Sequence, residues 1–390
     1  MPLDAICLRA VLHELRPQLI GARIDKVQQP ARDQIVLLLR GNLRLLLNAG
    51  ANQPRIQLTN ILRDNPAQPP MFCMLLRKHL VGARVLSIEQ PDLERMVILS
   101  LQCTDEFGEI SQKQLVLECM GRRSNLILLD AQGRIVECLR RVDADLSATR
   151  QLLPGLFYHL PTPLDKLSLL SQEEDSLALA QRGGDAEQAV DKWVLDHYTG
   201  ISPLIAREFA FRAGHETDVR FGALNDAQRE ALVQEFSDTA NAVKEDNYMP
   251  VILYRDGKPV DFTYRPIAQY GAETQVETRE SFSQMLDEFY DARERQELSA
   301  LSAHHRGHRS RQRGGRRQGE NRPFRARCAR GRRRCPSCAF DAHVAAFFHG
   351  RIHRRGRLQR RRIPPARRPH HRKPVPHEER RKSLACGKLL

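Results

Sequence analysis

The stretch that most constrains the fold is Leu115 to Asp130, where two apolar runs typical of strands flank a short polar tip. An acid, two arginines, a serine and an asparagine crowd around one glycine at this tip, a mixture that suits phosphate and ribose better than a core. We predict a nucleic-acid contact here; the simpler alternative is a solvated bend with two surface arginines. The candidate residues are Glu118, Gly121, Arg122, Arg123, Ser124 and Asn125.

Charge is unevenly distributed along the 390 residues, whose formal net charge is +15. Residues 1–300 contain 34 lysines and arginines against 43 acids, a net charge of −9, whereas residues 301–390 contain 28 against 4, a net charge of +24. The net negative charge of residues 1–300 argues against non-specific binding of nucleic acid over a wide surface. Recognition there would have to use local basic patches.

The sequence contains no run of 18 apolar residues, and four charged residues occur among its first 20. We therefore expect neither a membrane span nor a signal peptide, and we expect a cytoplasmic protein. The five cysteines of the first 300 residues stand among apolar neighbours without metal-ligand spacing, so we expect reduced, buried thiols and no metal or cofactor. These cysteines are Cys7, Cys73, Cys103, Cys119 and Cys138.

The first half of the chain predicts an α+β protein. Residues 3–19 have helical spacing, and alternating apolar residues from 22 to 48 predict a β-meander. A second helix over 71–81 is followed by further strands up to Leu139, so we expect an antiparallel sheet lobe with packed helices. Gly21-Ala22-Arg23-Ile24 recurs as Gly82-Ala83-Arg84-Val85, each time between a helix and a strand, which suggests two similar helix-to-sheet units.

Residues 189–198 and 203–212 have helical periodicity, and a short glycine turn separates them. This pattern is typical of a helix-hairpin-helix, whose turn amides and following helix N-terminus commonly hold a nucleic-acid phosphate. We predict such a backbone contact, with an ordinary helical hairpin as the alternative. The residues of this predicted contact are Gly200, Ile201 and Ser202.

Two further elements follow this helical insert. Residues 248–264 predict a β-hairpin centred on Asp256-Gly257, so the chain returns to a sheet. Apolar residues at three- and four-residue spacing over 282–290 then predict the start of a long amphipathic helix.

Residues 301–390 contain 25 arginines but only 3 lysines, and nine of the 14 histidines. One interpretation is a basic, disordered arm that binds RNA through phosphate charge. Cys328, Cys335, Cys338 and His343 could then hold zinc, although their spacing is not a standard one. The interpretation that we favour is an out-of-frame translation of a GC-rich gene, because the preceding amphipathic helix stops without a linker or cap.

Five motifs in this order resemble the NFACT family of ribosome quality control factors, also known as fibronectin-binding protein A-like proteins. The resemblance covers about residues 1 to 300. The motifs are LDAICLRAVLHEL at 3–15, GARIDKVQQP at 21–30, LERMVILSL at 93–101, ECMGRRSNLILLD at 118–130 and LPGLFYHLPTP at 153–163.

The resemblance implies a lobe of the DNA-glycosylase type, a helix-hairpin-helix, a long antiparallel coiled coil and a C-terminal RNA-binding domain. Most of the coiled coil and the last domain cannot be recognised in this sequence, which suggests a truncated member of the family. The expected division is an N-terminal lobe at 1–165, a helical region with the helix-hairpin-helix at 166–240, a returning β-hairpin at 241–275, the start of the coiled coil at 276–300 and the Arg-rich segment at 301–390.

The function that the resemblance implies is not enzymatic. Such proteins bind a large ribosomal subunit obstructed by peptidyl-tRNA, recruit alanyl-tRNA and promote a C-terminal alanine tail on the stalled chain. An Asp-Arg pair supports tRNA binding in the family, and Glu94 and Arg95 stand at the matching positions. Glutamate is one methylene longer but still a carboxylate. The alternative for this pair is a surface ion pair worth about 0–1 kcal/mol.

Three other functions stay open at the level of sequence. In a DNA glycosylase, Pro2 would be a Schiff-base nucleophile, but those enzymes need an acid immediately after that proline and Leu3 stands there. A fibronectin-binding surface adhesin lacks support, because no export signal or extracellular disulfide pattern is recognisable. The chain could also be a fragment that keeps tRNA affinity but has lost ribosome binding.

Overall fold

The computed structural model of the protein describes residues 3–104, 108–147, 149–291 and 293. Pro2, the predicted coiled coil beyond residue 293, and the Arg-rich segment with its candidate zinc ligands lie outside these described residues. Within the described ranges, no helix is both long enough and apolar enough to cross a membrane.

The first of two similar units begins with α1 (Ala5–Leu19), which buries an apolar face against a sheet. Asp4 starts this helix, because its carboxylate accepts a hydrogen bond from Cys7 N at 2.7 Å. A four-stranded antiparallel sheet follows, in which each strand pairs with the next one along the chain. Its strands are β1 (Ile24–Ala31), β2 (Gln34–Leu39), β3 (Leu43–Asn48) and β4 (Arg55–Leu58).

The second unit consists of α2 (Met71–Leu80) and a five-stranded antiparallel sheet. Two of its strands pair over nine residues, from Met96 opposite Glu118 to Thr104 opposite Ile110. The first residue of one strand therefore lies beside the last residue of the other, and this register positions the candidate site. The strands are β5 (Arg84–Glu89), β6 (Met96–Thr104), β7 (Ile110–Glu118), β8 (Asn125–Leu129) and β9 (Ile135–Cys138).

The two repeated glycine motifs pair with each other. Gly21 and Gly82 have φ angles of 82° and 88°, which let each helix turn sharply into its strand. Gly21 N donates a hydrogen bond to Val85 O at 2.8 Å, and Gly82 N donates reciprocally to Ile24 O at 2.7 Å. The two predicted helix-to-sheet units are therefore present, and they meet across the repeated motif.

A helical region follows the two sheets. Asn225 and Gln228 form a capping box at the start of its last helix. Its core is aromatic, because the ring of Phe236 lies 4.8 Å from that of Phe209 and 6.4 Å from that of Trp193. The helices are α3 (Glu173–Arg182), α4 (Val190–His197), α5 (Pro203–Gly214) and α6 (Asp226–Lys244).

The chain then forms a three-stranded antiparallel sheet, in which β10 lies between the other two strands. Asp256 and Gly257, with φ angles of 51° and 69°, form the predicted hairpin turn. The strands are β10 (Val251–Arg255), β11 (Lys258–Thr263) and β12 (Gln275–Thr278).

Residues 282–291 are helical, as their apolar spacing predicts, and this helix is attached to the first unit at two points. The Glu14 carboxylate of α1 accepts hydrogen bonds from Phe282 N and Ser283 N at the helix start. Further along, the Asp287 carboxylate accepts from Thr59 Oγ1 at 2.8 Å and from Asn60 N at 3.0 Å. The start of the predicted long amphipathic helix is therefore packed against the first unit.

The predicted fold class is confirmed: the chain is an α+β protein with antiparallel sheets and packed helices. The five cysteines of the described part are buried and carry free thiols, as their apolar surroundings predict.

Candidate nucleic-acid interface

Glu94 and Arg95 lie directly before β6, beside the tip that joins β7 to β8. Their position follows from the strand register, and Cys119 N donates a hydrogen bond to Arg95 O at 2.8 Å. Both side chains are half-buried. Burial and the neighbouring Asp92 raise the pKa of Glu94, while Arg95 opposes that rise. The structure thus brings together two stretches that sequence alone does not place side by side.

The tip folds as one turn of 3-10 helix, Gly121–Arg123. Gly121 has a φ of 59°, and a Cβ there would lie 3.8 Å from Ala51 O of the β3–β4 loop. Arg122 and Arg123 are exposed and form neither a hydrogen bond nor an ion pair with any other described residue. The half-buried Arg95 side chain is likewise without such a partner in the described part. Three guanidinium groups near this end of the sheet are therefore available to a ligand.

Glu118 points into the protein, with only 1% of its surface exposed. Its carboxylate accepts hydrogen bonds from Arg150 Nη2 at 2.5 Å and from the Tyr158 hydroxyl at 2.8 Å. Burial and the nearby carboxylate raise the pKa of Tyr158, so the phenol stays a neutral donor. Glu118 thus anchors the base of the tip, and its direct contact with RNA stays a prediction.

Ser124 and Asn125 are also buried, each 1% exposed. The Asn125 amide donates to Arg140 O at 2.7 Å and accepts from Arg140 N at 2.9 Å. The Arg140 guanidinium in turn donates to Ser124 O at 2.5 Å and to Ala49 O at 2.8 Å, and it lies 2.8 Å from Asp33 Oδ1. These contacts fasten the tip to two loops of the first sheet.

Arg140 and Arg150 are the supporting residues that sequence reasoning does not find. They belong to no recognisable motif, and local periodicity says nothing about their partners. Their roles depend on the path of residues 139–147 and 149–159 across the second sheet, where Val142 pairs with Leu152 and Ile135 N donates to Leu156 O.

The predicted helix-hairpin turn lies against the Glu94–Arg95 loop. Gly200, Ile201 and Ser202 are half-buried, and a Cβ at Gly200 would lie 2.9 Å from Leu93 Cβ. Gly200 also has a φ of 80°, so both conformation and space favour glycine. The Ser202 hydroxyl caps α5 and is hydrogen-bonded to Asp4. One side of the turn thus packs on protein, and a phosphate contact by its amides stays a prediction.

Charges of both signs lie at this end of the sheet, and the Glu94 carboxylate there has no hydrogen-bond or ion-pair partner among the described residues. Three acids near the guanidinium groups are engaged with other residues by ion pairs or hydrogen bonds, which reduces their repulsion of an anionic ligand. These acids are Asp33, Asp92 and Glu118.

Asp4 makes the stability of this region pH-dependent. Burial is the main reason that its pKa is raised from 3.8 to about 6, and the hydrogen bonds from Cys7 N and Ser202 oppose the rise only in part. Between about pH 6 and pH 4 the folded protein holds a proton that the unfolded chain releases. Stability therefore rises as the pH falls through this window and is lost as the pH rises through it.

We expect Asp4→Asn, which preserves the helix cap, to raise the free energy of unfolding at pH 7 by about 2–3 kcal/mol. Near pH 4 the gain should be small, because the wild-type carboxyl is then protonated in the folded state. Urea unfolding at both pH values measures the difference. Asp145→Asn, at an exposed aspartate, is the control and should change stability at neither pH. An equal effect of Asp4→Asn at both pH values would contradict the prediction.

Comparison with known proteins identifies the lobe. The family model of the NFACT N-terminal and middle domains matches residues 4–329. The Rqc2 homolog RqcH of Bacillus subtilis is 34% identical over 294 residues, which are 74% of this chain and 49% of that protein. This chain therefore spans about half the length of that relative.

Two solved structures are similar to this one. The N-terminal part of the fibronectin/fibrinogen-binding protein from Streptococcus suis has a TM-score of 0.61 and 28% identity, over 74% of this chain and 98% of the other. The fibrinogen-binding protein from Staphylococcus aureus has a TM-score of 0.60 and 26% identity, over 75% of this chain and 100% of the other. With the family match over most of its length, the chain belongs to the NFACT family.

Proposed function

We propose that this chain is a ribosome quality control factor whose sheet lobe binds tRNA. Family membership and the name of the Bacillus subtilis relative support this role. In full, the proposed function is to bind an obstructed large ribosomal subunit that carries peptidyl-tRNA, to recruit alanyl-tRNA and to promote alanine tailing of the stalled chain. Because this chain spans about half of that relative, ribosome binding and tailing are proposed separately from tRNA binding.

The observation that carries the tRNA proposal is the group of three unpaired guanidinium groups near one end of the second sheet. Arg95, Arg122 and Arg123 make no ion pair with the described residues, whereas the nearby acids Asp33 and Glu118 are paired with Arg140 and Arg150. Guanidinium groups bind phosphate oxygens through forked, charge-assisted hydrogen bonds. Glu94 could accept a hydrogen bond from a ribose 2′-hydroxyl, which would favour RNA over DNA.

The buried polar residues of the tip have an indirect role in this proposal. Glu118, Ser124 and Asn125 hold the tip in place, so that Arg122 and Arg123 stand away from the protein. The helix-hairpin turn at Gly200 packs on Leu93, the residue before the Glu94–Arg95 pair. An ordered surface loses less conformational entropy when it binds than a mobile one.

The proposed role is not enzymatic, since peptidyl transfer would belong to the ribosome, and it places the protein in the cytoplasm. The glycosylase alternative depends on Pro2, which lies outside the described residues. Fibronectin binding is stated for solved relatives, but no specific feature of this lobe favours it over RNA binding.

The test is a pull-down of the tagged full-length chain from cells, followed by sequencing of the recovered RNA. Wild type should recover tRNA, with alanine acceptors foremost, and Glu94→Ala/Arg95→Ala should lower recovery about tenfold, because charge-assisted hydrogen bonds are lost. A matched control is Glu137→Ala/Arg141→Ala, which removes another Glu-Arg pair of the same lobe.

Binding of purified protein to tRNA at several salt concentrations separates electrostatic from other contributions. Three phosphate contacts predict that the logarithm of the binding constant falls with the logarithm of salt concentration with a slope of about −2 to −3. Arg95→Ala would remove one of these three contacts, so the magnitude of the slope should fall by about one third. Recovery of no tRNA above background, or equal recovery by the Glu94/Arg95 variant and the wild type, would overturn the proposed site.

A further inference from the structure

We propose that Asp92 is a positioning residue for Arg95, by which the helical region holds the Glu94–Arg95 loop in its binding orientation. The inference rests on the proposed function, since it assigns a role to a residue behind the proposed tRNA contact. Asp92 itself makes no contact with the three unpaired guanidinium groups; its partners lie in the segment before α3.

Asp92 joins two parts of the fold that are distant in sequence. Its Oδ1 accepts a hydrogen bond from Ser168 Oγ at 2.8 Å, and its Oδ2 accepts one from Ser171 Oγ at 3.0 Å. Both carboxylate oxygens are thus used by one short segment of the helical region. The φ of Asp92 is 43°, a left-handed conformation that aspartate and asparagine tolerate better than most residues.

The next residue, Leu93, also contacts the helical region. It is 1% exposed, and a Cβ at Gly200 would lie 2.9 Å from its Cβ and 3.3 Å from its carbonyl oxygen. The helix-hairpin turn therefore covers Leu93 while residues 168–171 bind Asp92. Through these two contacts the helical region determines where the loop begins.

The backbone around the loop is also hydrogen-bonded to α1 and to the end of β7. The Gln90 amide donates to both Ala5 O and Glu94 O at 2.8 Å, and Arg95 O accepts from Cys119 N at 2.8 Å. The backbone of the loop is thus fixed at both ends, while the Arg95 guanidinium has no partner in the described part. Its direction depends on the backbone that carries it, and Asp92 is the polar link between that backbone and the helical region.

A double-mutant cycle distinguishes positioning from a general loss of structure. The full-length chain is titrated with an alanine-accepting tRNA transcript at constant salt, in the wild-type background and in Arg95→Ala. We expect Asp92→Asn, which keeps the backbone conformation but removes the charge and one acceptor oxygen, to weaken binding about tenfold in the wild type. In the Arg95→Ala background the same substitution should change binding less than about twofold, because the group that it positions is absent.

Two further variants make the test independent of a folding defect. Ser171→Ala removes one of the two hydrogen bonds at an exposed position and should show a smaller effect with the same dependence on Arg95. Asp130→Asn is the matched control, because its carboxylate accepts from Gln132 N and Arg134 N in the β8–β9 turn. It should leave tRNA binding unchanged in both backgrounds.

The outcomes separate this inference from the proposed function. If Arg95→Ala leaves tRNA binding unchanged, the proposed site is wrong and the positioning role falls with it. If Arg95→Ala weakens binding but Asp92→Asn does not, or if Asp92→Asn weakens binding equally in both backgrounds, the site stands and the positioning role is overturned.

Discussion

Replacing Glu208 with alanine is expected to lower the free energy of unfolding by about 2–5 kcal/mol, because two main-chain N–H groups would lose their buried acceptor. Glu208 lies in α5 and is fully buried. Its carboxylate accepts hydrogen bonds from Arg212 Nε at 2.8 Å, from Ala268 N at 3.0 Å and from Gln269 N at 3.1 Å. The substitution would leave two main-chain donors and one guanidinium without this acceptor.

Urea unfolding of the full-length chain measures this loss. Glu208→Gln keeps one acceptor oxygen, so it should cost clearly less than the alanine variant. Glu187→Ala is the control, because it removes a carboxylate whose ion pair with Arg220 is exposed on both sides. Similar shifts of the unfolding midpoint for Glu208→Ala and Glu187→Ala would show that the buried carboxylate does not hold the region together.

The loss should also reach beyond α5, because Glu208 joins two parts of the fold. Residues 268 and 269 belong to the segment between β11 and β12, while α5 starts at Pro203, directly after the helix-hairpin turn. Weakening this connection should loosen the helical region against the third sheet. Faster proteolysis between β11 and β12 in Glu208→Ala would report that loosening directly.

The second large effect is expected for Glu118→Ala, about 3–5 kcal/mol. Glu118 is 1% exposed, and its removal would leave Arg150, only 22% exposed, without its carboxylate partner. The Tyr158 hydroxyl would lose its acceptor as well. Glu118→Gln retains an acceptor for the phenol but not the charge, so an intermediate loss is expected.

The matched control is Glu137→Ala on the neighbouring strand β9. Glu137 also pairs with an arginine, Arg141, at 2.6 Å, but that guanidinium is 62% exposed and its interaction is weakened by solvent. Thermal and urea unfolding should therefore show a far smaller shift for Glu137→Ala than for Glu118→Ala. Equal shifts would mean that the burial of Glu118 does not add to the strength of its ion pair.

Glu118 also shows how far sequence reasoning reaches at the tip. The residue types correctly mark the tip as unlike a core strand, yet they do not reveal which polar side chains face inwards. Arg122 and Arg123 point to solvent, whereas Glu118 and Asn125 are buried. The direction depends on partners such as Arg150, which is 32 residues away along the chain.

The helix-hairpin turn is a similar case. Periodicity and the glycine predict two helices and a turn, and the structure contains α4, α5 and the turn between them. The sequence does not predict that Gly200 packs on Leu93, next to Glu94 and Arg95. This contact joins two predicted motifs into one candidate site.

The sequence by itself determined the α+β class, the repeated helix-to-sheet unit and the Asp256-Gly257 hairpin. These features follow from apolar periodicity and turn chemistry, which act between residues close together in the chain. Only the tertiary structure decided which charges are neutralised and which stay available. Ion pairing depends on distances between segments far apart in sequence, so Arg140 and Arg150 have acidic partners at 2.8 Å and 2.5 Å while Arg122 and Arg123 have none among the described residues.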